Sequence, residues 1–413
     1  PEPQREKTEE RTVRAPSGAL AARVLDIWKQ VLASDSLGVD DNFFAVGGHS
    51  LMAAQIRSRI RKELAIECPL TAFFDYPSVA ELVDHLERTA LAPGQSPLLI
   101  SPIAPRDRSA PLPLSYAQER LWFLDRLSEG RSLEYAMPMA MRMRGSLDIP
   151  ALQRSLSAVV ARHESLRMRF VESPTGVTQV VEPAREVALN MVDLRDESSD
   201  RTDESSALGS LRSILDDQLA RPFDLAEGGL FRAHLYQVAE DDWVLFCNIH
   251  HIAADGGSMD ILRHEIAVLY NAHRAGLTPN LPEVTAHYGD FCMWQREVLD
   301  SEQLAQLDTY WQQQLAESST LSLPVDYPRP RHSACPRAMV PLTINNEVRD
   351  NLVRLAGDND ATLFMVTAAA LFVLLHRYSN QDDLCIGTPI ANRQHPDLHS
   401  IIGLFINTLV LRA

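Results

Sequence analysis

Six prolines fall between Pro93 and Pro113, at positions 93, 97, 102, 105, 111 and 113, and they constrain this chain more than any other stretch. Each fixes φ and removes a backbone donor, so no regular helix crosses the segment, and a semi-stiff, extended linker is expected over 91–113. The chain has 413 residues, 45% of them hydrophobic, which is enough apolar material for a packed domain on either side.

The hydrophobic pattern differs across the linker. Before it, Leu20, Val24, Ile27, Trp28 and Val31 recur at helical spacing, which predicts a helix from Ala19 to Leu32. A second helix is expected from Ser50 to near Leu64, carrying Leu51, Ala54 and Ile56. A third opens at Ser78, where Glu81 three residues on completes a capping box and Val79, Leu82, Val83 and Leu86 form the buried face. Three or four short helices make a small bundle over 18–90, and the charged, aperiodic residues 1–17 read as a flexible lead-in. After the linker, strand-like runs at 135–143 and 243–249 alternate with amphipathic helices at 152–163 and 259–273, the signature of an α/β layered domain. Strand-like runs return at 384–390 and 404–411 around the apolar stretch Leu363 to Leu375, suggesting a second lobe of the same kind. That stretch is too short to span a bilayer and reads as a buried core helix.

Charge and cysteine usage narrow the function. With 39 basic against 55 acidic side chains the net charge is −16, which argues against a nucleic-acid surface and suits acidic carriers and small acyl substrates. Five widely spaced cysteines, Cys68, Cys247, Cys292, Cys335 and Cys385, fit a reduced, cytoplasmic protein, and the charged N-terminus lacks the apolar segment of a signal peptide.

Two motifs carry the chemistry. In DNFFAVGGHSLMAAQ (41–55) paired glycines make a turn and Ser50 opens a helix. Taken alone, Ser50 is compatible with a simple helix cap, or with a phosphodiester seated on the free N–H groups of a helix start. In WVLFCNIHHIAADGG two histidines end an apolar strand, ahead of an Asp255-Gly256-Gly257 turn. Strand neighbours point to opposite faces, so His250 and His251 cannot address one cavity; one is structural and the other reactive. Asp255 is placed to hold the loop or an imidazole rather than to attack. From chemistry alone the pair fits hydrogen-bonded structural histidines, a metal site lacking further ligands, or a general base.

The first motif resembles the carrier domains of nonribosomal peptide synthetases, matching at Asp41, Phe43, Phe44, Gly47, Gly48, His49, Ser50 and Leu51 and again in FFDYPSVAELVDHL (73–86). The second fits the HHxxxDG signature of the condensation-domain superfamily. SYAQERLWFL (115–124), RHESLRMRF (162–170), YGDFCMW (288–294), IGTPIANR (386–393) and IGLFINTL (402–409) resemble further motifs of that family in its order. The resemblance implies a multidomain chain: a small all-α four-helix carrier bundle (18–90), then an α/β condensation domain of two chloramphenicol-acetyltransferase-like lobes. The first lobe is expected over 114–286, and the second, apparently incomplete, over 287–413. It implies 4′-phosphopantetheine carried covalently on Ser50, no metal, and His251 facing a tunnel between the lobes with His250, Asp255 and Gly256 of the same signature. Arg393 is the candidate partner of a structural Asp255, and Gly257 and Asn407 are supporting residues. Relatives often carry a larger residue at the position of Gly257, so a wider tunnel is expected here.

The implied reaction is attack by the amine of an aminoacyl thioester on a peptidyl thioester, with His251 acting as base or orienting the amine. Implied partners are adenylation domains upstream, where RTVRAP (11–16) resembles the linker following one, and downstream, an acceptor carrier downstream, and a phosphopantetheinyl transferase. A complete domain is expected to continue past Ala413, since the apolar strand there would otherwise stay unpaired. Competing functions are an epimerase or ester-forming relative, a noncatalytic module recruiting a tailoring enzyme, and a carrier joined to a coenzyme A-dependent acyltransferase. No glutamate-bearing epimerase motif is present, and the intact His251 disfavours the module.

Overall fold

Helical spacing before the linker produces helices. A computed structural model describes residues 16, 18–32, 34, 36–48, 50–64, 66, 68, 72–90, 103–128, 130, 132–174, 176–195, 204–299, 301–327, 340–359, 361–393 and 395–413. All of the expected lead-in but residue 16, most of the proline linker, and Cys335 lie outside these residues. Two compact units emerge, one joining 1–99, 313–388 and 410–413, the other joining 100–312 and 389–409.

In the first unit α1 (Ala19–Leu32), α2 (Ser50–Leu64), α3 (Ala72–Asp75) and α4 (Val79–Ala90) bury one contiguous apolar cluster. At its centre Trp28 meets Phe43 edge-on at 5.0 Å and stacks near Phe73 at 6.2 Å, and all three rings are sealed from solvent. The Ser78 box closes as the sequence predicts, with Glu81 N–H donating to Ser78 Oγ at 3.3 Å and Ser78 N–H to Glu81 at 3.2 Å.

The second unit opens with β1 (Leu112–Pro113), α5 (Tyr116–Leu127), β2 (Ala136–Arg144), α6 (Ile149–Arg162), β3 (Met168–Ser173), β4 (Gly176–Val181), β5 (Leu189–Asp193) and α7 (Glu204–Leu219). It continues with β6 (Phe231–Ala239), β7 (Asp242–His250), α8 (Gly256–Ala275), α9 (Tyr288–Val298) and α10 (Ser301–Gln314), whose last two residues fall to the first unit. A four-stranded sheet runs β2-β7-β6-β5, antiparallel except where β5 pairs parallel to β6, and a smaller sheet runs β1-β4-β3. Central β7 is apolar on both faces because both are covered. Leu245, Cys247 and Ile249 pack with residues of α6 and α8, while Val244 and Phe246 pack with Leu211 of α7.

The last elements are α11 (Asn346–Asp358), α12 (Leu363–Ser379), β8 (Cys385–Ile390) and β9 (Asn407–Arg412), the strands forming a two-stranded sheet. The expectation of a buried core helix at Leu363 to Leu375 needs correction. The helix forms, but Phe364 is 57% and Val373 55% exposed, and α12 contributes no buried residue. Among the described residues α11 is the element that packs most against α12, and one short helix is too little surface to cover a helix that is apolar on every side.

Candidate active site

Ser50 stands at the first residue of α2, delivered there by a turn that the bundle core dictates. Phe43 N–H donates to Pro77 O at 2.6 Å and Gly48 N–H to Phe43 O at 2.9 Å, while Asn42 Oδ1 receives the amides of Phe44 and Ala45. Gly47 sits at φ +96°, left-handed backbone that glycine adopts without penalty. A Cβ on Gly48 would fall 2.5 Å from Phe43 O and 2.6 Å from its ring. Both glycines therefore follow from pressing the turn onto a buried phenylalanine. The first turn of α2 holds no acidic side chain, so its free N–H groups and positive dipole end suit a phosphodiester on Ser50. His49 lies outside the described residues.

The second candidate centre is the turn after β7. His250 is the last strand residue, buried to 1% exposure, with Tyr135 and Phe223 rings 6.2 and 5.7 Å away. Its Nδ1 accepts the Ile252 amide at 3.1 Å, which fixes the tautomer with hydrogen on Nε2. Burial first, and the neighbouring His251 second, hold its pKa down at about 4. His250 is thus a neutral structural ring. His251 begins the turn, half-buried, its own amide donating to Tyr135 O at 2.8 Å, and its Nδ1 is buried with no protein partner.

The turn is pinned on both sides. At its far end Asp255 caps α8: Oδ1 accepts Ser258 N–H at 2.9 Å, Ser258 Oγ–H at 2.7 Å and Arg393 Nη2 at 2.9 Å, and Oδ2 accepts Phe405 N–H at 3.0 Å. Both oxygens of Asp255 are engaged by the loop's own groups and Arg393, so it holds the loop. Arg393, 138 residues away and buried, also donates to Leu398 O and Ile401 O and lies 4.2 Å over the Phe405 ring. Ser258 Oγ, whose one proton goes to Asp255, accepts Gly403 N–H at 3.1 Å. At the near end Gln118 Nε2 donates to Ile252 O at 3.2 Å.

Gly256 opens α8 exposed, with open space where a Cβ would stand. Gly257 is exposed, and its nearest neighbour is Arg393 Nε, 3.2 Å from a built Cβ. Asn407 is exposed at the start of β9, its carboxamide accepting the Thr408 amide at 2.9 Å. Sequence reasoning did not single out Ser258, Gln118, Tyr288 or the Phe405 amide. Cys247 and Cys292 are both pushed up to about 12 by burial and are inert thiols. Among the described residues no group of three or more His, Cys, Asp or Glu is arranged to hold a metal, and no single helix is long and apolar enough to cross a membrane.

The condensation-domain family model matches residues 109–413, and the phosphopantetheine attachment site model matches 22–86. The chain belongs to the condensation-domain family. It is 40% identical over 399 residues to a linear gramicidin synthase of Brevibacillus parabrevis and 37% identical over 401 residues to malpibaldin synthetase of Mortierella alpina. Each match covers 96% of this chain but only 5% and 7% of those proteins, so the chain spans a small part of the curated relatives it matches. The X-domain from teicoplanin biosynthesis superposes with TM-score 0.67 at 30% identity, covering 75% of this chain and 67% of that one. The first condensation domain of the CDA synthetase superposes with TM-score 0.60 at 23% identity, covering 74% and 71%, which speaks for the fold alone. The four-helix carrier followed by an α/β condensation fold is thereby established, as is a phosphopantetheine attachment site in the carrier.

Proposed function

We propose that this chain is a carrier and condensation segment of a nonribosomal peptide synthetase, joining an acyl group held on the carrier to the amine of a downstream aminoacyl thioester. The observation that carries the proposal is one half-buried histidine on a turn pinned at both ends, in a chain that also opens a helix with an attachment serine. When bound to Ser50, 4′-phosphopantetheine supplies a terminal thiol on a flexible arm that holds an acyl group at high local concentration.

The protein residues divide the remaining work. His250 stays neutral and takes no part in proton transfer, because its Nδ1 is engaged and burial disfavours its cation. Asp255 and Arg393 satisfy one another and fix the turn. His251 is left to receive a hydrogen bond from the attacking amine, orienting its lone pair or taking its proton, which ends on the departing thiolate. Alignment is worth about 7 to 11 kcal/mol for well-oriented groups, and a positioned base adds about 10² to 10⁴ in rate. The proposed partners are adenylation domains on either side, an acceptor carrier downstream and a phosphopantetheinyl transferase. The proposed compartment is the cytoplasm, consistent with the free thiols of Cys247, Cys292 and Cys385.

The test loads Ser50 with a peptidyl-pantetheine group, adds an aminoacyl carrier and follows both proteins by intact mass, with His251→Ala and Ser50→Ala as controls. Transfer that needs both residues supports the proposal. Loading without transfer favours a recruiting module instead.

A further inference from the structure

We propose that Gln118 is a positioning residue for His251, holding the histidine turn in register with the segment that crosses back over the site. The inference rests on the proposed role of His251. Gln118 is wholly buried in the first turn of α5 and uses both ends of its carboxamide. Its Nε2 donates to Ile252 O, the residue next to His251, at 3.2 Å. Its Oε1 accepts Ser115 N–H at 3.2 Å and the Cys292 thiol of α9 at 3.6 Å.

From Ser115 the contacts run on. Ser115 Oγ lies 2.8 Å from Tyr288 Oη, and Tyr288 O–H donates to Leu404 O at 2.6 Å, one residue from the Phe405 amide that Asp255 holds. A closed circuit of hydrogen bonds therefore runs from Ile252 through Gln118, Ser115, Tyr288 and the 404–405 backbone to Asp255 and back along residues 252–255. His251 sits just outside the circuit, its backbone tied to Tyr135 O and its ring free of any protein hydrogen bond at Nδ1. The ring's position is then inherited from the turn, which Gln118 grips at Ile252 O while His250 Nδ1 holds the Ile252 amide. Only a group that donates at one end and accepts at the other can serve there; an apolar side chain orphans Ile252 O, and a carboxylate repels it.

The test is histidine-selective NMR on the full chain, with the His251 signal assigned through His251→Gln, comparing the wild type with Gln118→Met and Gln118→Glu across pH. The expected result is a displaced His251 signal in Gln118→Met at every pH. Gln118→Glu is expected to match the wild type at acid pH, where the new carboxyl group is protonated and donates to Ile252 O. It should depart from it at alkaline pH, where that group is ionised. In the transfer assay the same pattern should appear in kcat, falling by about 10²-fold with KM held when the donor is lost. A His251 signal unchanged in Gln118→Met, or a Gln118→Glu signal that never returns while amide signals of α8 show a folded domain, overturns the proposal. Should the wild type transfer nothing, the proposed reaction fails, while the NMR comparison still decides what Gln118 does.

Discussion

Arg393 and Asp255 face one another with side chains 5% and 3% exposed, so neither charge can fall back on water. Breaking such a pair from one side leaves an uncompensated buried charge, and Arg393→Met is expected to cost about 3 to 5 kcal/mol. Replacing both partners, as Asp255→Asn with Arg393→Met, should cost less than the two single changes together, a coupling that a double-mutant cycle in urea measures directly. His250 makes a second prediction at this scale. An unfolded histidine titrates near 6.5, whereas burial holds the folded one at about 4, so the unfolded chain takes up the proton first as pH falls. The neutral ring's contribution is whole above about pH 6.5 and is lost progressively down to about pH 4, about 3 kcal/mol in all. His250→Asn should abolish that slope. Urea midpoints at about pH 8 and about pH 5, followed by exchange protection of β7, would run parallel in the two proteins if the folded ring took up its proton normally.

Among the elements, the crossing segment 389–409 is held by backbone as much as by side chains, which is why glycine is required within it. A Cβ on Gly403 would collide with the Tyr288 ring, and Tyr288 is fully buried with its hydroxyl committed to Leu404 O and Ser115. Overpacking of this kind costs about 1 to 3 kcal/mol where neighbours can give, and here the ring has nowhere to move. Gly403→Ala should lower the melting temperature of the condensation domain and, through the Ser258 contact, slow transfer; a melting curve matching the wild type would contradict the packing. Helices α1, α2 and α4 were legible because their apolar residues keep a helical period and one carries its cap. The pairing of Asp255 with Arg393 was legible only through family resemblance, since no local pattern links residues 138 apart. The Phe405 amide was not legible at all, because a backbone donor leaves no trace in residue identity. Gln118 lies within SYAQERLWFL, where resemblance marks a motif without telling which of its side chains grips the turn. The composition of α12 was read as burial, but burial needs a covering surface that composition does not describe.

Across the whole molecule the carrier's apolar core, drawn from 21–86, shares no residue with the larger core drawn from 103–405. The carrier core is small and leans on a few large side chains, with Trp28, Phe43 and Phe73 in mutual ring contact. Truncating a buried aromatic removes transfer energy and leaves a cavity, about 3 to 5 kcal/mol for a Trp→Ala change. A domain of this size has about 5 kcal/mol or little more to lose, so Trp28→Ala is expected to unfold the carrier. It should leave the larger core's unfolding midpoint where it was. Hydrogen exchange read by mass spectrometry separates the two, since peptides from α1, α2 and α4 should lose protection while those from β6, β7 and α8 keep it. The loss should also reach function, because the turn that presents Ser50 is folded onto Phe43, one ring away from the deleted indole. Phosphopantetheinyl transfer to Ser50 should therefore fall with carrier protection. Loss of protection in β7 as well would mean that the carrier and condensation cores unfold as one.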